Sequence, residues 1–177
     1  MTKRINHKKL KLFVLEVLKK AGLDVYSRRS VATGLYEASV RGVDSHGVRL
    51  LSHYVNSALK GRKNPKPNYK FKRPFPALGV LNADNAFGHA AGMKAIDICI
   101  KLANKYGVGV VAVKNSSHPG ALASIALPAA RKGFIAFASP LLPNLPYLAP
   151  NNMIPAKAAA PPVECTNVEP AKSEKPS

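Results

Sequence analysis

The chain has 177 residues, 46% of them hydrophobic, with 27 Lys and Arg against 9 Asp and Glu and a formal net charge of +18. That length is enough for one domain with a real core, or one and a half, and the lack of a long apolar run excludes a transmembrane span. Cys99 and Cys165 stand far apart in no metal-ligand spacing, so no metal site is predicted and a reducing, cytoplasmic setting fits.

The first stretch, Met1–Lys20, is basic and acid-poor, as a transit peptide would be. Yet Leu10, Phe13, Val14, Val17, Leu18 and Ala21 fall on one helical stripe that Gly22 ends, so the segment reads as part of the fold. A second helix is predicted from about Ser27, its plausible cap, to Arg41, with Val31, Leu35 and Ala38 together with Val40 as a weaker stripe. A third, from about Gly47 to Leu59, carries Val48, Leu51, Val55 and Leu59 on one face with Tyr54 alongside. Residues 1–62 are therefore expected to form a helical layer.

Residues 63–76 follow as an extended basic connector, held open by Pro65, Pro67, Pro74 and Pro76. Cations thicken in Thr2–Lys11 and in Lys60–Arg73, and in the second stretch Tyr69 and Phe71 interleave with them, as in a single-strand stacking surface. Such charge attracts nucleic acid, anionic membranes and acidic ligands at low salt. There is no RNP, KH or zinc-finger pattern, so a solvated connector with no specific nucleic-acid or membrane partner is expected.

From Ala77 the period changes. Ala77–Leu81 reads as a short strand, about Ala90–Tyr106 as a helix with Met93, Ile96, Ile100 and Ala103 inward, and Val108–Val113 as a buried strand. About Ala121–Lys132 reads as a further helix and Phe134–Ala138 as a third strand. Strand–helix–strand–helix–strand over 77–138 means an α/β architecture, without the G-x-G-x-x-G of a Rossmann dinucleotide site. Residues 139–177, rich in Pro, Ala, Lys and Glu, read as a mostly disordered tail.

Two polar loops ask for a chemical explanation. Arg41–Val48 sets Asp44, Ser45 and His46 between Gly42 and Gly47, where backbone freedom can turn an imidazole into a cleft. Equally, Asp44 or Ser45 could cap the next helix and His46 face solvent. Asn115–His118 lies between a buried strand and a helix, the edge at which open α/β sheets bind ligands. Pro119 suits a first helical turn, whose amides favour an anion; alternatively Ser117 is only a cap and His118 a surface residue.

These residues resemble the type-2 malate/L-lactate dehydrogenases, which include ureidoglycolate and sulfolactate dehydrogenases and a diketogulonate reductase. Three motifs carry the resemblance in order: Leu35-Tyr-Glu-Ala-Ser-Val-Arg-Gly-Val-Asp-Ser-His-Gly-Val48 with Tyr54 downstream, Asn82-Ala-Asp-Asn-Ala-Phe-Gly-His89, and Gly107-Val-Gly-Val-Val-Ala-Val-Lys-Asn-Ser-Ser-His118. The match spans about Leu10 to Phe137, the N-terminal part of such a protein. The resemblance implies an incomplete version of that family's non-Rossmann α/β fold. It also implies an oxidoreductase using NAD or NADP on small 2-hydroxy and 2-keto acids, usually as a homodimer.

By the same resemblance His118 is the catalytic acid/base and His46 a second catalytic and substrate-site group. Ser45, Arg49 and Asn85 are expected at the substrate, and Ser117, His118 and Gly120 at the cofactor. Imidazole suits proton transfer near neutral pH, while the hydride belongs to the cofactor. The chain departs from the pattern in three places. Relatives carry a substrate-binding Arg four residues after the loop His, where Leu50 stands here; Arg49, one place early, is rotated by roughly 100° on a helix. Pro119 replaces the usual Phe, and Pro128 falls inside a predicted helix at a cost of about 3 kcal/mol unless the helix bends or ends there. An inactive remnant that acts by associating with a full-length relative, and a basic nucleic-acid-binding module, remain the alternative functions.

Overall fold

A computed structural model of the chain describes residues 5–139. The helical layer comes first, as α1 (His7–Lys20), α2 (Val25–Val40) and α3 (Leu51–Leu59). Asn6 caps α1 by accepting from the backbone N–H groups of Lys8 and Lys9. The stripe on α1 turns Val14 and Leu18 fully inward, but Phe13 is exposed at the stripe's margin. Asp24, rather than Ser27, caps α2 through a 2.6 Å bond from the Ser27 N–H. Both residues have capping chemistry, and the earlier one wins because Val25 and Tyr26 already lie in the first turn. Val31 and Leu35 of α2 meet Val14 and Leu18 of α1, with Leu51 and Tyr54 of α3 and Phe87 closing the cluster. Each such fully buried aliphatic side chain contributes about 1.5–3 kcal/mol.

The Asp-Ser-His stretch does not run straight into α3. It forms a 3₁₀ turn over Asp44–His46 and a second over Val48–Leu50 before α3 begins. The Ser39 hydroxyl accepts the Val48 N–H at 2.9 Å and ties the second turn to the end of α2.

The sheet has three strands in the order β1 (Lys70–Phe75), β2 (Leu78–Asn82), β3 (Val110–Lys114). β1 lies inside the stretch expected to be an open connector. It pairs antiparallel with β2, and the irregularity between Lys72 and Phe75 falls at Pro74, which has no N–H to give a ladder. β2 and β3 are parallel, joined by α4 (Gly88–Tyr106). Gly107 ends α4 in the left-handed conformation, φ 80°.

Three expectations need correction here. β3 is not buried: Val110 and Val113 are exposed, because among the described residues β3 has a partner strand on one edge only. Phe134–Ala138 is not a strand. Its period of two is real, with Phe134, Ala136 and Ala138 packed on the α4–α5 cluster and Ile135 and Phe137 outward, but no neighbouring backbone pairs with it. Finally α5 spans only Ala123–Ala130, so Pro119 lies four residues before the helix instead of opening it. Pro128 stands inside this short helix, which ends two residues later. The remainder of the predicted tail after Ser139 lies outside the described residues. Among those residues no helix is long and apolar enough to cross a membrane.

Candidate active site

The site is built where the end of β3 meets the start of α4 and the helical layer. The turn after β2 folds back on the turn after β3: the Ala83 N–H donates to the Lys114 carbonyl at 2.9 Å and the Asn85 N–H to the Asn115 carbonyl at 2.8 Å. Asp84, Asn85 and Asn115 all take positive φ, the region where a short polar side chain is least penalised. Gly88 then has to be glycine, since a Cβ there would run into the carbonyls of Ser117 and His118. The Ser117 hydroxyl accepts the Gly88 N–H at 2.9 Å, which fastens the Asn115–His118 loop to the first turn of α4.

This places the two histidine loops against each other within one chain. The His46 and His118 rings lie 5.5 Å apart, centre to centre, tilted by 31°. Ser45 Oγ shares a 2.9 Å hydrogen bond with His46 Nδ1, and His118 Nδ1 accepts the Gly120 N–H at 3.0 Å. Both imidazoles thus have one nitrogen engaged, which fixes their orientation and leaves Nε2 as the reactive end.

Next to them opens a cavity of about 280 Å³. Ser117, His118 and Phe87 form the wall from the α/β side; Leu50, His53, Tyr54 and Ser57 come from the helical layer, and Lys63 from the connector. The size suits a small organic acid, at the lower end of ligand cavities of roughly 300–1,000 Å³.

Behind the cavity sits His89, which is 1% exposed and held between Gly34 and Gly120, where a Cβ on either glycine would collide with its ring. Its Nδ1 shares a 3.1 Å hydrogen bond with the Tyr54 hydroxyl, while Nε2 has no partner. Burial, with the nearby His118 and His46 adding to it, pushes the His89 pKa down to about 4. The imidazole is therefore neutral near pH 7. Burial also raises the Tyr54 phenol to about 12, so its proton stays on.

Of the residues singled out from sequence, the structure brings His46, His118, Ser45 and Ser117 together, with Gly120 beneath. Arg49 is exposed and does not line the cavity; Leu50, one residue on, does. Asn85 is exposed and touches the cavity only through Lys63, whose Nζ donates to Asn85 Oδ1 at 2.9 Å. Ser117 and Gly120 have their polar groups engaged inside the fold, with Gly88 and His118 respectively. Sequence reasoning missed Lys63 and His53, and gave Tyr54 and His89 no role at the site. Tyr54 and His89 did carry a signal, since Tyr54 stands downstream of the first motif and His89 ends the second. Lys63 was hidden among many cations.

A family profile described as malate/L-lactate dehydrogenase matches residues 5–151. The malate dehydrogenase of Pyrococcus abyssi is 41% identical over 132 residues, covering 75% of this chain and 36% of that protein. The ureidoglycolate dehydrogenase (NAD(+)) of Escherichia coli K12 is 33% identical over 75% of this chain and 38% of its own length. The crystal structure of the malate dehydrogenase from Pyrococcus horikoshii OT3 superimposes with a TM-score of 0.71 at 34% identity, covering 74% of this chain and 38% of that one. The chain thus spans well under half the length of these relatives. With its helical layer, its mixed three-stranded sheet and the profile match across most of its length, the chain belongs to the malate/L-lactate dehydrogenase family.

Proposed function

We propose that the chain serves an oxidoreductase that interconverts small 2-hydroxy and 2-keto acids with NAD or NADP. The observation that carries this reading is the meeting of His46 and His118, 5.5 Å apart, beside a cavity of small-acid size. Reducing a keto acid needs a hydride at the carbonyl carbon and a proton at its oxygen. His118 lines the cavity with one nitrogen already anchored, as a group handing over that proton should be. His46, oriented by Ser45, sets its ring 5.5 Å from that of His118 and would act on it from just outside the cavity lining. Tyr54 stays neutral on the cavity wall, its hydroxyl tied to His89.

The described residues fit the acid better than the dinucleotide. A 280 Å³ cavity does not hold a whole dinucleotide, and the Gly120 N–H is taken up by His118 Nδ1 inside the fold. NAD or NADP, which supplies the hydride when bound, is implied by the family and by the cofactor in the name of the ureidoglycolate relative. Assembly as a homodimer belongs to the same reading, supported by the exposed apolar face of β3.

The test is a chimera joining this chain to the part of the Pyrococcus abyssi relative that it does not match, assayed by NAD(P)H oxidation with pyruvate or oxaloacetate. His118→Ala should lower turnover by about 10²–10⁴. His46→Ala should cut turnover or acid binding while leaving affinity for the nucleotide nearly unchanged. Equal rates with and without His118 would remove it from the site.

A further inference from the structure

Lys63 is the cation on the cavity wall, and it has no counter-ion among the described residues. No carboxylate lines the cavity, and none of the ion pairs among the described residues involves Lys63. Its ammonium carries three donors. One is given to Asn85 Oδ1, a neutral acceptor. Lys63 is half-buried as a residue although its bond to Asn85 is exposed, and the apolar wall of Leu50 and Phe87 on one side strengthens its attraction for an anion over that in open water.

The lysine is also held in place, unlike most surface cations. The Lys63 N–H donates to the Ser57 carbonyl at 3.1 Å. On either side of it, the Asn64 N–H donates to the Asn85 carbonyl at 2.9 Å and Asn85 Nδ2 to the Arg62 carbonyl at 3.0 Å. Asn85, turned into left-handed backbone at φ 57°, therefore fastens three successive residues and orients the ammonium itself. Arg49 offers no alternative, since it stands exposed away from the cavity.

We propose that Lys63 anchors the carboxylate of the acid bound in this cavity, with Asn85 as the residue that positions it. The proposal rests on the 2-hydroxy/2-keto acid reading given above. It places the acid's carboxylate at Lys63 and its carbonyl oxygen toward His118, which lies on the same cavity wall system. Asn85 then contributes to acid binding through Lys63, without touching the acid.

The 177-residue chain can be titrated with oxamate, a stable mimic of a 2-keto acid, while the imidazole resonances of His118 and His53 are followed by NMR. Oxamate should move both, and Lys63→Met should weaken its binding about tenfold or more, while Lys63→Arg keeps most of it. Leu50→Arg, which puts a cation on the same wall, should recover part of the loss in the Lys63→Met chain. Backbone spectra of the variants show that the fold is kept. If Lys63→Met binds oxamate as the unaltered chain does, the anchor is wrong and the acid reading survives. If inorganic phosphate moves the two histidines in a Lys63-dependent way and neither oxamate nor pyruvate does, the carboxylate assignment and the acid reading fall together. If no anion moves them, Lys63 is not a binding group.

Discussion

The helical layer and the sheet obey opposite packing rules. On the helical side Val14, Leu18, Val31 and Leu35 are all fully buried, and the apolar stripe of each helix meets another. On the sheet, Val110 and Val113 stand 48% and 39% exposed although the sequence there is as apolar as any in the chain. Phe75, Leu78, Ile135 and Phe137 share that exposure. A strand this apolar is suited to cover on both faces, and among the described residues α4 is the helix that packs on β3. The difference teaches where stability and where association reside. The helical layer holds the fold and half of the cavity wall, whereas the open side of the sheet has apolar surface left for contact with other chain.

The largest effect should come from the packed side. Leu35→Ala removes a side chain with no exposure at all, and should cost about 2–5 kcal/mol in urea unfolding. Val110→Ala on β3, half exposed, should cost well under 1 kcal/mol. Equal costs at the two sites would erase the contrast.

A second test uses pH, and again sets the helical side apart. His89 titrates at about 4 in the fold against about 6.5 when unfolded. Between those values the unfolded chain takes up a proton that the folded one refuses. Stability from this group is therefore complete above pH 6.5, declines as pH falls toward 4, and changes no further below. At about 1.4 kcal/mol per pH unit the loss amounts to roughly 3 kcal/mol. His89→Asn should flatten this part of the profile in melts run from pH 7 to pH 4. If the slope is unaltered, other groups carry the acid sensitivity.

The contrast also explains what could be read from sequence. Helix positions followed from stripes such as Val14–Leu18–Ala21, because a helix buries one face and shows its period regardless of what it meets. The meeting of His46 with His118 depends on the fold-back of the two turns at Ala83 and Asn85, which no local pattern encodes. Membership of a family had to supply it. β1 was masked by its basic composition, because an edge strand exposed along its whole length has no alternation to reveal it. Phe134–Ala138 misled for the complementary reason. Its alternation is that of a strand, yet a ladder needs a neighbour, and period alone does not say whether one is present. Lys63 could not be picked out among 27 cations without the position of Asn85.

The smallest effect on stability is expected at the open sheet, and there the readout that matters is association. Val110 lies on β3, 48% exposed, paired on one edge with the exposed Leu78 of β2. Placing a charge on an exposed edge strand is a common device against edge-to-edge pairing. Val110→Lys buries nothing new and removes little packing, so its unfolding free energy should lie within about 0.5 kcal/mol of the parent. If the bare apolar face drives self-association, sedimentation should show less oligomer at a given concentration, and an apolar dye should bind less. A large loss of stability would mean that β3 is packed more tightly than its exposure indicates. Unchanged oligomer with unchanged stability would move the association surface elsewhere, to Phe75 and Leu78 or to Ile135 and Phe137, each of which can be charged in the same way.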